Sequence, residues 1–130
     1  DSESNDLEGR KIWNGTNSDW NDAFNWSGNS IPTLQDSILV PNCGCVEVAF
    51  PEVSLGMHTY QSLIIEEGGL VTVPIGSTLS IDLSSPNAKF ENFGSLFNWG
   101  SLFVINTLNK TVLNEGVMEC ENGAICRFLD

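Results

Sequence analysis

A glycine followed two positions later by a large apolar residue recurs through the last third of the chain. The pairs are Gly94/Leu96, Gly100/Leu102, Gly116/Met118 and Gly123/Ile125. Asn stands two places before three of these glycines, at Asn92, Asn98 and Asn114, and Asn122 directly precedes the fourth. Gly68/Leu70 and Gly76/Leu79 extend the pattern backwards, the second with its apolar residue one place late. Taken alternately, the glycines form two series. Gly68, Gly94 and Gly116 lie 26 and 22 residues apart, and Gly76, Gly100 and Gly123 lie 24 and 23 apart. The unit is therefore about 24 residues long and holds two glycine-led strands. A period in the twenties with several short strands per unit is the pattern of a β-solenoid. Each unit makes one coil, and each strand pairs with its equivalent one coil away. The expected fold is all-β: a short parallel β-solenoid (β-helix) of about four coils. Gly or Asn at the corners supplies positive φ, and the Leu, Met and Ile two places on stack inwards. Phe97, Trp99 and Phe103 fall on the other parity, so some lie outside or bulges shift the register. The alternative is an antiparallel β-sandwich.

The rest of the chain divides around this region. Residues 1–11 read as a polar, disordered tail. Residues 12–35 are aromatic and turn-rich, with Trp13, Trp20 and Trp26 at spacings of 7 and 6. Asn17, Ser18 and Asp19 are candidate caps for a short helical turn there. Residues 36–130 read as strand after strand, bounded by Gly, Pro, Asn or Ser. Twelve Gly, fourteen Asn and only five Lys+Arg argue against a helical protein. A net charge of −12 repels phosphate backbones and anionic membrane surfaces, which excludes nucleic acid as a partner. No apolar run reaches the roughly 20 residues that cross a bilayer, so no membrane insertion is expected. The chain starts without an initiator Met, which suggests a mature or trimmed segment.

The segment from Trp13 to Pro41, "WNGTNSDWNDAFNWSGNSIPTLQDSILVP", resembles one found in secreted and cell-surface proteins of Bacteroidetes-type bacteria. That pattern is Trp-x-Gly, a second Trp, Asn-Trp, then Pro, Asp and a strand ending in Pro. It leads into a β-solenoid in adhesin-like or autotransporter-like repeats. Residues 62–126 are similar in style to that downstream region, and a weaker similarity is to the G8 domain of animal surface proteins. The resemblance implies that the Trp segment is a cap. An open solenoid end exposes unpaired backbone and apolar core, and Trp13, Trp20 and Trp26 with Phe24 are expected to cover it. Four cysteines depart from the bacterial pattern.

Cys43, Cys45, Cys120 and Cys126 favour an oxidising, extracellular setting. Their C-x-C and C-x5-C spacings do not suit zinc. In a solenoid the two pairs sit in the first and last coils, too far apart for cross-pairing. Local bonds Cys43–Cys45 and Cys120–Cys126 are expected. Asn14, Asn25 and Asn109 head glycosylation triplets, a number close to chance in so Asn-rich a chain.

Signals for catalysis are sparse. His58 is the single histidine, and a lone loop histidine is usually just exposed. Glu66 and Glu67, adjacent on a strand, would face opposite ways, unlike a glycosidase pair. Glu119 and Glu121 would share a face. Arg10, Lys11, Lys89, Lys110 and Arg127 are scattered rather than gathered beside acids. The chain is expected not to be an enzyme and to need no cofactor. Calcium, through Asp19, Asn21 and Asp22, lacks the ligand spacing of a known loop. The expected role is a secreted structural or adhesive module of a cell surface or extracellular matrix. Its partners would be a protein or glycan, or a second copy through an uncapped C-terminal coil. The alternative is a carbohydrate-binding module using exposed Trp20, Trp26 and Trp99. A third reading is a fragment of a polysaccharide-degrading enzyme.

Overall fold

The computed structural model describes residues 10–15, 17–33, 36–41, 51–121 and 123–129. Its strands are β1 (Arg10–Ile12), then β2 (Ser37–Val40) and β3 (Gly56–Tyr60) in a first coil. The second coil is β4 (Ser62–Ile65), β5 (Leu70–Val73) and β6 (Ser77–Asp82). The third is β7 (Phe90–Asn92), β8 (Ser95–Asn98) and β9 (Ser101–Ile105), and the fourth is β10 (Val112–Asn114), β11 (Val117–Cys120) and β12 (Ile125–Leu129). Every pairing between these strands is parallel and links one coil to the next. Three sheets result, ordered β1-β2-β4-β7-β10, β5-β8-β11 and β3-β6-β9-β12. The chain is a three-sided β-solenoid.

Parity along each strand decides what enters the core, because successive side chains point to opposite faces. Ile38, Leu63, Phe90 and Val112 stack in one column. Val71, Leu96 and Met118 form a second, and Leu79, Leu102 and Cys126 a third. The first three of the first column, the first two of the others, and Ile81 and Val104 beside them are buried in a single core. Burying a side chain of this size contributes about 1.5–3 kcal/mol. Phe97 and Phe103 point outwards and are half-buried, as their parity predicts.

The glycine rule holds at Gly94/Leu96, Gly100/Leu102 and Gly116/Met118, but slips by one elsewhere. Leu70 and Ile125 pair with outward Ser95 and Ser101, so Val71 and Cys126 turn inwards instead. The glycines have two separate reasons to be glycine. A Cβ on Gly94 would run into the Gly69 carbonyl, and one on Gly116 into that of Gly94. This column is Gly69, Gly94, Gly116, at spacings of 25 and 22, rather than one starting from Gly68. Positive φ is instead the reason at Gly76 (92°) and Gly123 (88°), where a side chain would be strained.

Asparagine at the corners bridges coils. Asn92 and Asn98 are fully buried, and neither adopts positive φ. Asn92 Oδ1 accepts from Gly94 N at 3.1 Å, and its Nδ2 donates to the Val117 carbonyl at 2.8 Å and Asn114 Oδ1 at 3.0 Å. Asn98 accepts from Gly100 N at 3.0 Å and donates to the Ile125 carbonyl at 2.7 Å. Each amide closes its own corner and holds the next coil, and among the described residues no buried side-chain N or O lacks a hydrogen-bond partner.

The Trp segment lies over the first coil. β1 extends the first sheet, so Arg10 and Lys11, which the sequence assigns to the tail of residues 1–11, are strand residues. Trp13 forms an antiparallel bridge to Trp26, and Asp19 a parallel one to Glu52. The Trp13 and Trp20 rings meet Trp26 edge-on, with centroids 5.0 and 4.8 Å away. Gly15 is required by crowding: a Cβ there would lie 2.6 Å from both the Asn25 side chain and the Trp13 ring. Phe24, expected among the covering aromatics, is exposed instead. Asp22, not Asn17, Ser18 or Asp19, caps the short 3-10 turn Ala23–Asn25, by accepting from Phe24 N at 3.0 Å.

Candidate functional site

Polar groups capable of chemistry gather where the Trp segment meets the first coil. β3 carries His58 and Tyr60 on one face, two residues apart. The loop before it supplies Ser54. The Trp segment supplies Trp20, whose Nε1 donates to the Tyr60 hydroxyl at 2.9 Å. The Tyr60 hydroxyl lies 3.0 Å from His58 Nδ1. His58 Nε2 lies 2.9 Å from the Ser54 carbonyl and 3.0 Å from Ser54 Oγ. The single histidine is thus half-buried on a strand and partnered at both nitrogens, not loose in a loop.

These contacts determine the protons. The Ser54 carbonyl can only accept, so Nε2 carries the hydrogen. Nδ1 then accepts, and the Tyr60 hydroxyl is its donor. The relay runs Trp20 Nε1–H to Tyr60 O–H to His58 Nδ1, and His58 Nε2–H to Ser54. Burial lowers the His58 pKa below 6.5, with the Ser54 carbonyl bond raising it in part. Tyr60 is pushed up to about 12, chiefly by burial, although the Trp20 bond lowers it and the Asp36 carboxylate raises it. With Nε2 protonated, His58 cannot take the Ser54 hydroxyl proton, so the pair is not set as nucleophile and base. The relay ties the cap to the first coil.

A cleft of about 510 Å³ opens beside this relay. Asp19 and Trp20 line it from the Trp segment, and Glu52, Ser54, Leu55 and Pro74 from the solenoid. Leu55 and Ile75 are 75% and 77% exposed.

Trp20 and Trp26 are each 1% exposed; the Trp26 indole nitrogen is bonded to the Trp20 carbonyl inside the cap, and that of Trp20 to Tyr60 of the first coil. They present no face to a sugar, which corrects their reading as platforms. Trp99 is 49% exposed and alone of the three offers a ring to solvent. Among the acids, Glu66 and Glu67 lie exposed in a turn after β4 rather than on a strand. Glu119 points outwards on β11, in register with Phe97. Asp19, Asn21 and Asp22 are occupied in local turns: Asp19 Oδ1 accepts from Asn21 N, and Asp22 Oδ2 from Asn17 Nδ2. Among the described residues no group of three or more His, Cys, Asp or Glu is placed to hold a metal.

Cys120 and Cys126 form a disulfide across the corner of the fourth coil, with Cα atoms 6.3 Å apart. Cys43 and Cys45 lie outside the described residues. Asn14 and Asn109 are exposed. Asn25 is buried, and its Nδ2 donates to Asn17 Oδ1 at 2.7 Å and the Asp19 carbonyl at 2.9 Å, which leaves no room for a glycan. Among the described residues no helix is long and apolar enough to cross a membrane.

The chain matches no protein-family model, and no curated protein or solved structure is significantly similar to it.

Proposed function

We propose that this chain is a non-catalytic structural or adhesive module, secreted to a cell surface or extracellular matrix, which pairs with a second copy through its fourth coil. The observation that carries the reading is the difference between the two ends. At the first coil, three tryptophans cover the core. At the fourth, the inward column residues lose their cover: Val112 and Met118 are half-buried and Phe128 is exposed, whereas Phe90, Leu96 and Val104 beneath them are buried. Among the described residues β10, β11 and β12 end their sheets, and such edges present backbone groups for pairing. Because the first coil is covered, head-to-tail stacking is blocked, and a two-fold tail-to-tail pair is the closed solution. The Cys120–Cys126 bond supports an oxidising compartment, and the resemblance of Trp13–Pro41 to bacterial surface segments supports the adhesive role. The glycan alternative now rests on Trp99 alone.

The test is molar mass by light scattering up to about 1 mM, a concentration that detects even weak pairing. A dimer that Phe128→Lys converts to monomer is the expected result. A chain that stays monomeric throughout overturns the pairing.

A further inference from the structure

Three exposed apolar side chains stand in a row on one corner of the solenoid. Leu55, Ile75 and Trp99 each occupy the connection from the second sheet to the third, in the first, second and third coils. The pairings on either side place these connections over one another: Glu52 with Thr72 and Val73 with Asn98 before them, Gly56 with Ser77 and Thr78 with Ser101 after them. Rungs about 4.8 Å apart make this a ridge roughly 10 Å long. Single exposed apolar residues are ordinary, but one at the same corner of three successive coils makes a patch. The corner from the first sheet to the second is instead Glu66–Gly69 in the second coil and Glu115–Gly116 in the fourth.

The flank of the ridge has one sign of charge. Asp19, Glu52, Thr72, Phe97 and Glu119 form an outward column on the second sheet. No Lys or Arg occurs in 51–57, 66–79, 93–104 or 114–125, the segments that build this side, while Glu52, Glu66, Glu67, Glu115, Glu119 and Glu121 do. Asp19 and Glu52 are bridge partners, an arrangement in which like charges repel until a cation arrives. Lys11 and Lys110 are spent elsewhere, on the carbonyls of Ser27 and Ala88.

We propose that the Leu55–Ile75–Trp99 ridge and the adjoining cleft dock a cationic, apolar polypeptide segment in which lysine or arginine alternates with aliphatic or aromatic residues. Its apolar side chains cover the ridge and its cations meet Asp19 and Glu52 at the cleft. A second copy is disfavoured here because it carries the same charge. The inference gives the adhesive reading a partner chemistry, and it uses a side of the solenoid that the fourth-coil pairing leaves free.

The test is calorimetric titration of the full chain at about 0.15 M salt with three synthetic peptides: Lys–Leu, Lys–Ser and Glu–Leu repeats. Lys–Leu should bind with Kd below about 1 mM, and the other two at least about tenfold more weakly. The double variant Ile75→Ser/Trp99→Ser should weaken Lys–Leu by about tenfold or more with circular dichroism unchanged, whereas Phe103→Ser on the third sheet should not. Should the double variant unfold, Glu52→Gln takes its place, and an unchanged affinity and salt dependence there overturn the proposal. So does Lys–Ser binding as tightly as Lys–Leu, which would be general charge attraction, or an absence of binding at about 1 mM. None of these variants lies in the fourth coil. A chain that forms its dimer but ignores the Lys–Leu peptide therefore refutes this inference alone.

Discussion

Asn98→Ala tests the claim that corner amides hold successive coils together. Asn98 is fully buried, donates to the Ile125 carbonyl at 2.7 Å and to Cys126 Sγ at 3.1 Å, and accepts from Gly100 N at 3.0 Å. Gly100 N keeps a second acceptor, the Val73 carbonyl at 3.1 Å. The Ile125 carbonyl loses the Asn98 donor. Leaving such an acceptor short costs about 1–3 kcal/mol, and the weakened Gly100 bond about 0.5–1.5 kcal/mol. The sum expected is about 1.5–4.5 kcal/mol, centred on about 3 kcal/mol. With a urea slope of about 2 kcal/mol/M, the central value lowers the midpoint by about 1.5 M, and the slope should hold. Asn98→Asp is the sharper probe, because it keeps volume and acceptor but loses the donor. At neutral pH it sets a buried carboxylate against the Ile125 carbonyl, so it should cost at least as much as Ala. Its folded-state pKa would be raised, so the penalty grows as pH rises above the unfolded value of about 3.9 and fades as pH falls below it. Asn87→Ala, on an exposed turn, serves as the control. An Asn98→Ala penalty within about 0.5 kcal/mol of that control, or an Asp variant more stable than Ala at pH 7, would refute the bridging argument.

Three further outcomes follow from the cap and the fourth coil. Trp20→Phe removes the donor to the Tyr60 hydroxyl and should lower stability by about 1–2 kcal/mol, a loss that Tyr60→Phe in the same chain should partly cancel in a double-mutant cycle. Because the folded His58 pKa lies below 6.5, the unfolded chain binds the proton first. Stability should therefore be full above about pH 6.5 and fall as pH drops through the lowered value, and His58→Gln should abolish that component of the melting-temperature profile. Reduction of Cys120–Cys126, which closes a loop with a separation of 6 residues, should cost about 2 kcal/mol. The loss should be seen as faster hydrogen exchange in β11 and β12 before other strands.

The coil, its length and its inward leucines were legible because Gly94/Leu96 and Gly100/Leu102 keep one register over successive turns. Gly68/Leu70 and Gly123/Ile125 misled because corner lengths vary. Two residues separate Asn92 from Ser95 and Asn98 from Ser101, whereas four separate Ile65 from Leu70 and Cys120 from Ile125. An added residue at a corner shifts which of its neighbours faces inwards. β3, β7 and β12 carry no clean apolar pattern: His58, Glu91 and Arg127 interrupt it, and coil-to-coil pairing rather than local propensity makes them strands. Trp20 and Trp26 could be read as cap or as sugar platform, and only their burial separates the two. The spacing of His58 and Tyr60 was a readable sign of a shared face. Their third partner was not, since Trp20 lies 40 residues away and is brought there by the cap. The ridge was equally hidden, because Leu55, Ile75 and Trp99 share no period in sequence and become neighbours only once the unequal corners are aligned.

A solenoid is stabilised largely by contacts between adjacent coils, so each coil's resistance to opening depends on its neighbours. The first coil has the cap on one side and the second coil on the other. Among the described residues the fourth has one neighbour, and its disulfide restrains a single corner. This ordering separates the two proposed surfaces in one measurement. A second copy docked on the fourth coil should slow hydrogen exchange most in β10, β11 and β12, with the effect fading towards the third coil. A cationic peptide on the ridge should instead protect the connections at 53–56, 74–77 and 99–100, and leave β12 as open as before. Protection of β10–β12 by the peptide would mean that the fourth coil, not the ridge, is its site. The two surfaces would then be one, and the peptide would compete with the dimer.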